Sequence, residues 1–506
     1  MSKVGQPPDQ PDEHEQGVAA ADQKPTDTQI SLQGADLVLR TRLALADVPA
    51  LRGKVVRDAR QPFVYRARPA DLHAVREVIE SRYSVSLAFD PAPPLREAVA
   101  VGTPPRPYQQ EALAAWQTAG RQGVVVLPTG AGKTLLGALA IATCGVRALV
   151  LVPTIDLTLQ WQAMLVRALG VDDDHVGVVG GGRREWEQGI VVATYDGAAR
   201  SLARISGFGL LVADEVHHLP ADTYRAIAQA AVAPYRLGLS ATLERSDGRE
   251  ADLTALLGET VYRASPETLA DEGYLAPFEV RRVWVDLEPD EQTAHDADVA
   301  AFEAYRREVR GDRVPMVEFM TRLRKRSVYD RQAREAMLAY SRARLLALNS
   351  RAKVARVEEL LTRHAAERCI VFAEHVAVVE TISRRYLIPA VTSETPRDER
   401  AAITAAFRDG RYTKVATGRV WNEGVDVPEA SVAIVLAGTG MERETVQRLG
   451  RVLRPAVGKQ AMLYELVTRD TGEARTADRR RLRAGDGAPR EGRSPGLKPH
   501  GRERGA

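Results

Sequence analysis

Residues 124–137 read VVVLPTGAGKTLLG. A β-branched run, a glycine-bearing turn, then Lys-Thr and an apolar helical pattern form the order that a phosphate-gripping loop requires. The turn offers backbone N–H groups, and the helix N-terminus adds favourable dipole potential for an anion. Gly130 and Gly132 let the backbone approach without a Cβ, and Thr129 and Ala131 complete the loop. Lys133 can reach the β- and γ-phosphates of a nucleotide, and Thr134 can ligate Mg2+. The strict pattern asks for glycine where Leu127 stands. That position ends the strand and offers phosphate no side-chain contact, so the loop reading survives.

The same alternation continues on either side. From 105 to about 265, short apolar runs (GVVVLP, RALVLVP, GIVVAT, FGLLVADE, YRLGLSAT) are separated by helical stretches. Runs of this kind read as strands buried on both faces of a parallel α/β sheet. The pattern resumes after 350 with RCIVFAE, YTKVATG, SVAIVLAG and AMLYELV. The expected architecture is α/β, with two parallel-sheet domains in tandem, over 98–265 and 350–469. Residues 290–349 are helical and highly charged, an insertion expected between the two lobes. Residues 31–97 carry apolar patterns and a helical PADLHAVREVIESRY, a small N-terminal domain ending in a Pro-rich linker. Residues 1–30 lack large apolar side chains and read as a disordered tail, and so does 470–506, which contains the basic run DRRRLR.

Composition excludes several classes. The chain has 506 residues, 44% hydrophobic and 27% charged, and a formal charge of +3. Nearly balanced charge leaves nucleic-acid binding to local distribution. No apolar run approaches the ~20 residues of a membrane span, and the polar, acidic start is no secretory signal. The two cysteines, Cys144 and Cys369, lie in separate apolar runs, which fits a cytoplasmic location without disulfides.

The strand ending GLLVADEVHHLP (209–220) carries two adjacent acids at its tip. Asp214 is placed to hold Mg2+ through water, and Glu215 to polarise an attacking water. His217 and His218 lack the further ligands of a zinc site. His217 is read as a coupling residue and His218 as structural. In the second half, Arg451 and Arg454 in VQRLGRVLRP are three apart, on one helix face. Across a cleft, such a pair can stabilise charge on transferring phosphate.

Taken in order, these motifs resemble those of superfamily 2 helicases with a DEAD/DEAH-type core, and most specifically the XPB family of DNA helicases, over about residues 104–468. RPYQQEAL resembles the family's adenine-reading motif, which implies Gln109 as the base contact with Arg106 beside it. LVLVPTIDLTLQW and VVATYDGAAR resemble backbone-touching motifs, implicating Pro153, Thr154 and Thr194. The SAT triplet implicates Ser240 and Thr242. NEGVDVPEASVAIVLAGTG and VQRLGRVLRP resemble motifs five and six, implying roles in ATP binding and hydrolysis for Gly424, Asp426, Gln447, Arg451 and Arg454. The resemblance implies two RecA-like lobes, ATP and Mg2+ as cofactors, DNA as partner (single-stranded or forked), 3′-to-5′ movement and work in DNA repair or related transactions. It also matches the charged insertion to a thumb-like element and the N-terminal domain to a DNA-inspecting one. Two positions depart from the family. Its Arg-Glu-Asp loop is here Arg245-Ser246-Asp247, and Gly418 stands where relatives often have threonine, with Thr417 one residue early. Without a nuclease signature, any cutting needs a nuclease or repair partner in trans. An ATP-gated clamp without processive unwinding, an RNA helicase and a restriction or defence motor remain alternatives.

Overall fold

The computed structural model describes residues 26–81, 83–241, 250–418, 430–436 and 461–474. The sequence-identified positions Thr242, Arg245, Ser246, Asp247, Gly424, Asp426, Gln447, Arg451 and Arg454, and the segments 1–25 and 475–506, lie outside the described residues.

The N-terminal domain is a five-stranded sheet in the order Val55–Arg57, Val64–Ala67, Asp36–Thr41, Thr26–Gln33, Ser84–Leu87. Its first strand begins at Thr26, inside the stretch read as tail; a polar TDTQISLQ alternation is easily taken for tail when its partner strand is not known. The helix Leu72–Glu80 buries Leu72, Val75 and Ile79, an i, i+3, i+7 stripe, against this sheet. Val232 of the next domain joins the same apolar cluster. The Pro-rich linker is pinned in place: Arg147 N–H donates to Pro93 O at 2.8 Å and Leu95 N–H to Gly145 O at 3.0 Å.

The first lobe is a sheet of eight strands. In spatial order they are Thr260–Arg263, Gln122–Val126, Tyr235–Ser240, Leu210–Asp214, Ala148–Val152, Ile190–Thr194, Val176–Gly180 and the short Arg183–Arg184. All neighbours are parallel except the last pair. The apolar runs seen in the sequence supply the central strands; full burial on both faces explains their lack of alternation. Arg236, at the start of its strand, is buried and donates to the carbonyls of Ala228, Ala231, Ala233 and Leu256 at 2.6–3.3 Å. It closes the end of the helix Asp222–Ala230 from within.

The second lobe is a six-stranded parallel sheet in the order Phe278–Val285, Ala461–Thr468, Val432–Val435, Cys369–Phe372, Lys414–Thr417, Ala390–Val391. Phe278–Val285 pairs along its whole length with Ala461–Thr468. This corrects the expected position of the charged insertion. Helices Pro289–Glu308, Met316–Arg326 and Arg331–Leu348 follow that strand, so they interrupt the second lobe instead of separating the lobes. The sequence could not show this, because FEVRRVWV has the mixed pattern of an edge strand and its partner lies far along the chain. The insertion has its own small core of Phe302, Tyr305, Phe319, Leu323, Ala333 and Ala336.

The C-terminal boundary also moves. Lys353, fully buried, donates to Glu473 Oε2 at 2.7 Å and Leu436 O at 2.6 Å. Thr471 and Glu473 therefore belong to the second lobe and not to a tail starting at 470. Among the described residues, no helix is long and apolar enough to cross a membrane.

Candidate nucleotide site and its surroundings

Ligand sites of parallel sheets form at the carboxyl ends of the strands. Three such ends meet here. Gln122–Val126 leads into the glycine loop, Leu210–Asp214 ends in the acid pair, and Tyr235–Ser240 lies between them. The middle strand is stitched to the loop, since Leu127 N–H donates to Ser240 O at 3.0 Å. Leu127 itself is fully buried beneath the loop. Its side chain is core, which is why an apolar residue serves at that position.

The loop turns on two glycines in the left-handed region, Gly130 at φ +87° and Gly132 at φ +77°. Gly132 caps the helix Lys133–Cys144, which carries Thr134 in its first turn. A Cβ on Gly132 would stand 2.5 Å from the Gln109 amide nitrogen. That amide donates to Ala131 O at 3.0 Å, and Tyr108 Oη donates to the same carbonyl at 2.7 Å. Gln109 Oε1 in turn accepts from the Arg106 backbone N–H at 2.9 Å. The Arg106 guanidinium donates to Tyr274 O at 3.2 Å and lies over the Tyr274 ring. Gln109 is thus buried against the loop backbone, and Tyr108 and Tyr274 join the wall beside it, their rings edge to face at 5.0 Å.

Lys133 Nζ donates to Leu127 O at 3.3 Å. Asp214 is buried, and burial pushes its carboxyl above the usual range; the Lys133 charge, the Trp161 N–H and the Glu215 N–H oppose that rise. Both its oxygens are held: Oδ2 accepts from Trp161 Nε1 at 2.8 Å and Oδ1 from Glu215 N at 2.9 Å. The Asp214 carbonyl accepts from Tyr195 Oη at 2.9 Å. Glu215 has φ +46°, an uncommon left-handed conformation for a non-glycine residue. The strand ends at Asp214, and the chain turns at Glu215 into Val216–His218. His217 is buried with Nδ1 3.5 Å from Glu215 Oε2, and its ring centroid lies 4.2 Å from that of His218. The acid pair and the histidine therefore form one connected turn.

The chemistry of this donor set fits a nucleotide with Mg2+. A glycine cradle that one Cβ would spoil, a lysine at a helix N-terminus and a fixed buried carboxylate stand together. The Thr129 hydroxyl is buried without a hydrogen-bond partner among the described residues, an orphan that a bound phosphate could satisfy.

The residues assigned to nucleic acid fare differently. Thr154 Oγ1 caps the helix Ile155–Leu169 by accepting from Leu157 N–H at 3.3 Å, and Pro153 precedes it. Thr194 Oγ1 accepts from Gly197 N–H at 3.0 Å, and Thr194 is buried. Both hydroxyls are committed to helix caps. Ser240 is buried, and so is Thr417, whose hydroxyl donates to Val391 O at 3.0 Å. Trp161, Tyr108, Tyr195 and Tyr274 went unseen in the sequence. Tyr108 adjoins Gln109 in RPYQQEAL and Trp161 ends LVLVPTIDLTLQW, but only the fold brings these side chains, with Tyr195 and Tyr274, to the glycine loop and the acid pair.

Two family models match: Type III restriction enzyme, res subunit, over residues 103–245, and ERCC3/RAD25/XPB C-terminal helicase over residues 325–483. The DNA 3'-5' translocase XPB2 of Sulfurisphaera tokodaii is 40% identical over 377 residues, covering 74% of this chain and 84% of that protein. The DNA 3'-5' helicase XPB of Kineococcus radiotolerans is 34% identical over 72% of this chain and 60% of its own length. The protein of the same description from Mycobacterium tuberculosis is 32% identical over 74% and 62%. This chain thus spans about three fifths of the length of the two bacterial helicases. A solved Pyrococcus furiosus Hef helicase domain aligns with a TM-score of 0.48 at 19% identity, covering 74% of this chain and 98% of that one.

Proposed function

The chain belongs to the XPB family of superfamily 2 DNA helicases, and from that premise we propose that it hydrolyses ATP between two RecA-like lobes to move along DNA, 3′ to 5′, in repair or related DNA transactions. The observation that carries the reading is the meeting of Lys133 and the buried Asp214 at the carboxyl end of one parallel sheet, their strands flanking Tyr235–Ser240.

Mg2+, held by Thr134 and by Asp214 through water, would supply charge neutralisation on the transferring phosphate. The protein's own residues do the rest. The loop from Thr129 to Gly132 binds the phosphates through backbone N–H groups, and Lys133 leaves the Leu127 carbonyl to add positive charge beside them. Glu215, held out of the strand by its left-handed backbone, orients the attacking water and accepts its proton. Arg106, Gln109 and Tyr108 bound the base side of the site. Arg451 and Arg454, with Gln447, Gly424 and Asp426, complete the site from the second lobe. DNA contacts are to the sugar-phosphate backbone, which makes them independent of sequence. With the hydroxyls of Thr154 and Thr194 serving as caps, those contacts come from backbone amides and neighbouring side chains.

The test measures ATP hydrolysis with and without DNA, together with strand displacement on tailed DNA and RNA duplexes of both polarities. DNA-stimulated turnover that Lys133→Ala abolishes, with displacement or movement from one polarity, supports the proposal. Stimulation without either would favour an ATP-gated clamp, a reading in keeping with Ser246 in place of the family's acid. Turnover that ignores DNA and responds to RNA would overturn the assigned substrate.

A further inference from the structure

The helix Ile155–Leu169 touches three working parts of the molecule at once. In its first turn, Asp156 Oδ2 lies 3.8 Å from Arg400 Nη1 of the second lobe. Five residues on, about 7.5 Å along the axis, Trp161 is buried and its indole N–H donates to Asp214 Oδ2 at 2.8 Å. The same ring lies against the phosphate-loop helix. A Cβ on Gly137 would stand 2.6 Å from Trp161 Cη2 and 2.8 Å from Cζ3, so the absence of a side chain at Gly137 makes room for the indole.

We propose that Trp161 is a positioning residue for Asp214, and that through it the helix Ile155–Leu169 transmits the contact between the lobes to the metal-binding carboxylate. The proposal rests on the nucleotide-site reading above. A carboxylate that holds a metal through water must present its free lone pairs in fixed directions. Among the described residues, two donors fix Asp214: the Glu215 N–H, which belongs to the same turn, and the Trp161 N–H, which belongs to another helix. Only the second can carry information from elsewhere. A small movement of Asp156 toward or away from Arg400 moves the whole helix, because a helix with an intact hydrogen-bond ladder shifts as a rod. The indole then pulls or releases Asp214 Oδ2. Outer-shell partners of this kind characteristically change metal affinity ~10-fold or more when lost.

The experiment measures Mn2+ binding to the full-length protein by electron paramagnetic resonance, with ADP present and without turnover. Trp161→Phe keeps an aromatic ring against Gly137 and removes the N–H. A second variant carries β-(3-benzothienyl)alanine at Trp161, which keeps the bicyclic shape and lacks only the donor. Both are expected to bind Mn2+ with ADP ~10-fold more weakly, with ADP affinity in chelator and the melting temperature near wild type. DNA is expected to change the Mn2+ affinity of the wild type, and Asp156→Asn, which weakens the contact with Arg400, is expected to lose most of that change. Wild-type Mn2+ affinity in the benzothienyl variant overturns the positioning role. An unchanged DNA effect in Asp156→Asn overturns the transmission. Lys133→Ala is measured alongside: if it binds ADP as tightly as wild type, the nucleotide site itself is misassigned, and the proposal falls with it for that separate reason.

Discussion

The Gln109 side-chain nitrogen lies 3.0 Å from Ala131 O and 2.5 Å from where a Cβ on Gly132 would stand. The residue read as a base contact is thus also a brace for the phosphate loop. Gly132→Ala must displace Gln109 and hold alanine at φ +77°, a conformation costing about 1–2 kcal/mol for an L-residue. The expected outcome is a protein that stays folded, with a slightly lower melting temperature, and loses nucleotide affinity sharply. Paired thermal melts and ADP titrations check it; an alanine variant that binds normally would show that the brace is immaterial.

Glu215 occupies a left-handed turn beside a fixed Asp214, and the proposed function gives the two acids separate roles. Glu215→Gln should bind ATP with Mg2+ nearly as wild type, because the carboxylate at Asp214 remains. Its hydrolysis rate should fall by roughly 10²–10⁴-fold, the range of a lost general base. Asp214→Asn should lose metal-dependent binding as well. Equal behaviour of the two variants in a binding assay would contradict this division.

Arg451 is expected to act in the transition state across the cleft. Arg451→Ala should leave ATP affinity nearly intact and cut turnover by ~10³-fold or more. Arg451→Lys should recover little, because an ammonium cannot reproduce the planar two-oxygen grip of a guanidinium. Weaker ATP binding with an unchanged maximal rate would make Arg451 a simple ligand.

Lys353 and Glu473 form a buried ion pair that ties the chain after the last strand into the second lobe. Removing one partner leaves the other buried and uncompensated, so Lys353→Met should destabilise the lobe by about 3–5 kcal/mol. The double variant Lys353→Met with Glu473→Leu should cost much less, which denaturant unfolding of the set will show. Burial pushes the Lys353 ammonium below its ordinary 10.5, against the opposing pull of Glu473. Between that lowered value and 10.5 the unfolded chain holds more protons than the native one, so this site's contribution to stability rises with pH. Wild type measured against the double variant across the alkaline range reads the slope.

The same pair dates the start of the basic C-terminal segment. Truncation after residue 474 keeps Glu473 and should leave the melting temperature and ATPase unchanged. It should also flatten the salt dependence of DNA binding, as loss of the DRRRLR run would require. Truncation after 469 removes Glu473 and should destabilise the lobe as Lys353→Met does. If the shorter cut leaves the salt slope as it was, the basic run is not a DNA-binding arm.

The sequence by itself determined what local chemistry can determine. Buried parallel strands appear as short β-branched runs, and the phosphate loop and the acid pair at 214 and 215 each lie within a few adjacent residues. Their order along the chain carries the family resemblance. Tertiary structure decided whatever depends on partners far apart. Phe278–Val285 has the mixed pattern of an edge strand, and only its pairing with Ala461–Thr468 moves the charged helices inside the second lobe. Thr154 and Thr194 show free hydroxyls in the sequence, and only the backbone that follows turns them into helix caps. Trp161 reads as one more apolar residue of a helix until the sheet brings Asp214 within 2.8 Å of its N–H. A side chain's covalent neighbours decide its local conformation, but the strands that fold back beside it decide which polar atoms it meets.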